Sequence, residues 1–63
     1  MVYKRLKALR VMNDLGQRDM AKKLGMAVST YNHKENGSRD FYVEEAKRIC
    51  VIFDKKFEDI FFD

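Results

Sequence analysis

Gly25 splits residues 17–37 into two short helical patterns, and no other feature narrows the possible folds as much. Ahead of it, Met20, Ala21 and Leu24 fall at i, i+1 and i+4, so they share one helix face. Gly25 itself can take a left-handed C-terminal turn at no steric cost. Behind it, residues 28–36 offer a second short helix, closed by Gly37. Ala21 supplies the small side chain needed where two such helices press together. A joint of about three residues containing Gly then turns one helix sharply against the other.

The remainder of the chain reads as further short helices. Val2, Leu6, Leu9 and Asn13 are spaced i, i+4, i+7 and i+11, with Lys4, Lys7 and Asp14 facing away, which predicts a first helix over about 2–13. Leu15 and Gly16 end it, and Leu15 is expected to enter the core. Asn36, Gly37 and Ser38 make a loop. A helix over about 42–53 then places Val43, Ala46, Ile49, Cys50 and Phe53 on one stripe, with Glu44 and Glu45 as solvated surface at its start. Phe57, Ile60 and Phe61 form a last helix over about 57–61. The expectation is an all-α chain of five helices (2–13, 17–24, 28–36, 42–53, 57–61) in a single domain, 1–63.

Charge is divided unevenly along this scaffold. Residues 1–39 hold nine Lys and Arg against three acidic residues, a net +6, whereas 40–63 hold four against seven, a net −3. The basic half contains the two-helix unit, a polarity that suits a polyanion on one side. The one cysteine, Cys50, rules out an internal disulfide and sits on an apolar stripe as a small hydrophobe. One Cys and one His make no metal-ligand set, and no nucleophile–base pair or phosphate-binding glycine loop is present. No catalytic residue, metal or cofactor is expected. With no apolar run long enough to span a bilayer and no signal peptide, a cytoplasmic protein without a membrane partner is expected.

Two short helices joined in this way form a helix-turn-helix unit, and here the sequence resembles the phage-repressor (Cro/C1, or XRE) family of helix-turn-helix DNA-binding proteins. The resemblance rests on Gln17, Ala21, Leu24-Gly25, Ser29-Thr30-Tyr31 and Glu35-Asn36-Gly37, and extends to Leu6–Arg10, Glu45–Ile49 and Glu58–Phe61. It implies a compact, five-helix lambda-repressor-like domain. It also implies an ion pair between Arg10 and Glu35 that fixes the third helix against the first. Gly16 and Ala27 depart from it, standing where a capping Ser or Thr is usual; a lost cap costs about 1 kcal/mol. Lys55 stands where an aliphatic residue is usual.

B-DNA's major groove admits one α-helix, and a helix-turn-helix places its second helix there. The resemblance implies base contacts from Ala27, Val28, Ser29 and His33, with Asn32 nearby. Ser29 and His33 can donate or accept hydrogen bonds, Val28 can pack on a thymine methyl, and Ala27 offers only a methyl. For His33 the alternative is a solvated surface histidine, and Thr30 can simply start the helix. Phosphate contacts are expected from Gln17, at a helix N-terminus, and from Thr30, Asn36, Ser38 and Arg39. Lys34 is expected to lay its stem on the core and send its charge to the DNA backbone. Tyr31 reads as core.

A module this small contacts few base pairs, so specific binding needs two half-sites about one helical turn apart. The expectation is a nucleoid-associated homodimer on a pseudo-palindromic double-stranded operator, a Cro-like repressor of a phage, prophage or bacterial cell. Its dimer surface would use Phe57, Phe61 and Phe62, and no small-molecule ligand is evident. The other reading is a helical protein-interaction module of antitoxin or adaptor type. The basic first half and the polar face of the third helix favour DNA.

Overall fold

The computed structural model describes residues 2–62, and among them lie five helices: α1 (Lys4–Met12), α2 (Gln17–Leu24), α3 (Val28–Glu35), α4 (Val43–Phe53) and α5 (Phe57–Phe61). α2 packs on α3 as the tight pair the sequence predicts, while α1 and α4 both close on α5. Leu6, Met20, Leu24, Tyr31, Ile49 and Ile60 are buried at the shared centre. Each fully buried aliphatic side chain contributes about 1.5–3 kcal/mol, which a small domain needs from every helix.

How the helices end explains the compactness. After α2, Gly25 sits at φ 69° and the N–H groups of Gly25 and Met26 turn back to Lys22 and Ala21 carbonyls at 3.2 and 2.9 Å. After α3, Gly37 at φ 82° does the same, with its own N–H and that of Ser38 returning to Lys34 and His33. This is the Schellman closure, in which a left-handed residue satisfies two orphan carbonyls. α1 and α4 close identically, but with Asp14 (φ 57°) and Asp54 (φ 52°) in the left-handed position. Asp tolerates that region better than most side chains, though less well than Gly.

Helix starts compensate for absent capping side chains. Gly16 precedes α2 in an extended conformation and donates its N–H to the Asp19 carboxylate at 2.7 Å. Tyr42 precedes α4 and donates its N–H to Glu45 at 2.9 Å. Each contact is the returning half of a capping box. Ala27 has no such partner, so α3 begins without a side-chain cap.

Several expected details change. α1 starts at Lys4, and Val2 lies outside it and 44% exposed. Asn13 is an exposed C-cap whose side-chain amide donates to the Leu9 carbonyl. Tyr3 takes the place expected of Val2, its ring meeting Phe61 edge-on at 5.4 Å. Val43 is not on the buried stripe of α4 but 70% exposed, because that stripe starts at Ala46. Leu15 packs half-buried against the core.

Candidate nucleic-acid interface

The outer face of α3 is open to solvent because its inner face is heavily committed. Tyr31, Lys34 and Glu35 point inward and are buried, whereas Val28, Ser29, His33 and Asn36 are exposed, with Asn32 half-buried among them. The outer group follows the i, i+1, i+4, i+5, i+8 spacing of one helix face. Ala27, just ahead of α3, is exposed, and Thr30 is half-buried at the edge of the face.

Glu35 anchors that helix. Its carboxylate accepts from Arg10 Nε at 2.9 Å and Nη2 at 3.2 Å, from the Tyr31 hydroxyl at 2.7 Å and from Gln17 Nε2 at 3.3 Å. Arg10 also donates from Nη1 to the Leu15 carbonyl at 2.8 Å, tying the α1–α2 turn to the same cluster. Burial pushes the Glu35 carboxyl up, but hydrogen bonds from Arg10, Tyr31 and Gln17, with the charge of Arg10, outweigh it and hold the group below its ordinary range. The bond to Glu35 raises Arg10 further, and burial with the Glu35 contact raises Tyr31. Glu35 is therefore ionised at neutral pH. No buried side-chain nitrogen or oxygen among the described residues lacks a partner.

Lys34 requires a correction. Its ammonium does not reach outward: it is 5% exposed, sits 2.6 Å from Glu45 Oε1 and lies 4.2 Å from the centre of the Tyr42 ring. A charge so deeply placed is held by its carboxylate partner, since without Glu45 the desolvation of the buried ammonium would go uncompensated. Lys34 is a strut between α3 and α4, and Glu45 is its counter-ion rather than free surface.

Gln17, Asn32 and Asn36 form a line of amides across α2 and α3. Asn32 Nδ2 donates to Gln17 Oε1 at 3.0 Å, and Asn36 Nδ2 donates to Asn32 Oδ1 at 3.2 Å. The i, i+4 spacing of Asn32 and Asn36 makes their bond legible in the sequence. Gln17 joins them only because α2 and α3 cross. Ser38 and Arg39, both exposed, are drawn to the end of α3 by their N–H groups, which donate to the His33 carbonyl at 2.8 and 3.2 Å.

At the opposite end of the molecule the aromatic expectation is divided. Phe57 and Phe62 are 48% and 61% exposed, but Phe61 is 5% exposed and so belongs to the protomer's own core. Its ring is enclosed by Tyr3, Phe41 and Phe57 at centroid distances of 5.4, 5.7 and 4.8 Å. Phe57, Phe62, Val43 and Val51 rim an open groove of about 930 Å³ between α4 and α5, with Cys50 half-buried in its floor. No described helix is long and apolar enough to cross a membrane.

Comparison with known proteins shows the family. The helix-turn-helix family matches residues 6–60. The chain is also 40% identical over 57 residues to an uncharacterized HTH-type transcriptional regulator of Methanocaldococcus jannaschii, covering 90% of this chain and 86% of that protein.

Proposed function

Because the chain belongs to the XRE-type helix-turn-helix family of DNA-binding transcriptional regulators, we propose that it is a sequence-specific repressor that lays α3 in the major groove of a pseudo-palindromic operator as a homodimer. The carrying observation is the division of α3, with its inner face locked by Glu35 and Lys34 and its outer face free. Val28, Ser29 and His33, with Ala27 ahead of them, are the groups that meet base edges. The first turn of α2, whose N–H groups precede any intrahelical partner, takes a phosphate beside Gln17. Thr30, Asn36, Ser38 and Arg39 take further phosphates on the flank of the helix. Bound there, the protein excludes polymerase or a competing regulator from the same DNA.

Dimerisation is assigned to the groove between α4 and α5, where exposed Phe57 and Phe62 continue an apolar surface toward Val43 and Val51. Phe61 supports that surface from beneath. The same groove favours the second reading, a protein-interaction module, because it could receive a helix of another protein.

Selection from a random duplex library, followed by fluorescence anisotropy at two salt concentrations, tests the proposal. Salt-sensitive binding with an enriched palindrome supports it. Salt-dependent binding without sequence enrichment reduces Ser29 and His33 to bystanders. Failure to bind duplex at low salt leaves the protein-interaction module.

A further inference from the structure

We propose that Asn32 is a positioning residue of the DNA-facing surface rather than a reader of bases, holding Gln17 in an amide chain whose direction the buried Glu35 carboxylate sets. The inference rests on the DNA-binding reading above and specifies how its surface is preorganised.

The chain has a polarity that its chemistry enforces. Glu35, 1% exposed and ionised, can only accept hydrogen bonds. Gln17 must therefore turn its NH2 toward Glu35, 3.3 Å away, which leaves its carbonyl oxygen for Asn32. Asn32 answers with its own NH2 at 3.0 Å, and its carbonyl oxygen is left to accept from Asn36 at 3.2 Å. Reversing any member sets two acceptors face to face, and at the inner end one of them would be an anion in a buried site. Three flexible side chains are thereby held in one orientation before any ligand arrives.

Reading an adenine through Asn takes the NH2 and the carbonyl oxygen together. In Asn32 the NH2 and the oxygen each already serve a partner within the protein, which fixes the plane of its amide, so a base could be read only by the N–H and lone pair left over in that fixed orientation. Gln17 gains what Asn32 gives up: with one N–H on Glu35 and its oxygen on Asn32, it keeps its second N–H for a phosphate at the start of α2. Preorganised donors bind better because less side-chain freedom is lost on association.

Duplex selection is repeated with Asn32→Ala, Asn32→Asp, Glu35→Gln and the Asn32→Asp/Glu35→Gln double variant, at a temperature where circular dichroism shows each folded. Asn32→Ala should bind every duplex about tenfold more weakly, with base preferences unchanged and the salt slope unchanged, because the amides it disturbs carry no charge and displace no counterion. Asn32→Asp should bind more weakly still, because Gln17 can meet the new acceptor only by turning its oxygen toward Glu35. Glu35→Gln supplies a donor for that reversed Gln17, so the double variant should recover affinity over Asn32→Asp alone. Relaxed preference at one operator position in Asn32→Ala would overturn the inference and make Asn32 a base reader. Absence of recovery in the double variant would overturn the direction of the chain. Failure of the unaltered protein to bind duplex would be seen before any variant is compared, and would remove the DNA reading itself.

Discussion

α3 is held from two sides by opposite kinds of matter. One side is the polar cluster of Arg10, Glu35, Gln17 and the Tyr31 hydroxyl, where each contact has a direction and a partner. The other is the aromatic wall of Tyr3, Phe41 and Phe61, whose rings meet tilted or edge-on at 5.4 to 5.8 Å. Tyr31 belongs to both, with its ring 6.1 Å from Phe41 and its hydroxyl on Glu35. The aromatic side supplies cohesion that depends on volume and tolerates small repacking. The polar side adds little net stability over a well-packed apolar replacement, but it fixes orientation. The residues proposed to meet DNA hang from the polar side.

The sharpest break comes from removing one polar partner. Glu35→Ala strands Arg10 and leaves Tyr31 and Gln17 without an acceptor, so a loss of about 3–5 kcal/mol is expected in urea denaturation, enough to unfold much of a domain this size. Exchanging both charges, in Arg10→Met with Glu35→Leu, should recover a large part of that stability while DNA binding stays weak. Recovery of both together would erase the distinction between the two sides.

On the aromatic side, Phe61→Leu keeps most of the volume and should cost about 1–1.5 kcal/mol by the same assay, with operator preference unchanged. A changed preference would show that the wall also orients α3. Acid sharpens the contrast further. Glu35 has a folded pKa below its ordinary 4.5, so its contribution is complete above that value and is lost as pH falls through the folded one. Stability should begin to fall as pH drops through the ordinary 4.5 and go on falling below it in the unaltered protein, and less steeply in Glu35→Gln. The smallest effect is expected at the left-handed helix end of α4, away from both sides. Asp54→Gly relieves the strained φ of 52° and should raise the melting temperature by the equivalent of about 0.5–1 kcal/mol. A loss there would mean that the Asp54 side chain stabilises the turn.

The sequence alone determined what depends on neighbours along the chain. Apolar residues at helical spacing placed all five helices within about two residues of their ends, a precision usual for such boundaries. Gly25 and Gly37 marked two of the turns. The Arg10–Glu35 pairing was legible only through resemblance to relatives, because nothing local links residues on α1 and α3. The left-handed Asp14 and Asp54 carried a weaker signal, since Gly is the residue that takes a positive φ without steric cost and Asp is common in many other settings.

Tertiary structure alone decided the rest. Lys34 could have sent its charge outward until Glu45, on another helix, came within 2.6 Å. Phe57, Phe61 and Phe62 were equivalent as letters, and the approach of Tyr3 and Phe41 from elsewhere in the chain put Phe61 inside and left the others at the surface. Gln17 and Asn32 met only because α2 crosses α3. Backbone periodicity is a short-range property that a sequence states directly. The direction of a long side chain is set by whichever charge, ring or amide folding brings beside it, and that partner is fixed only when the helices pack.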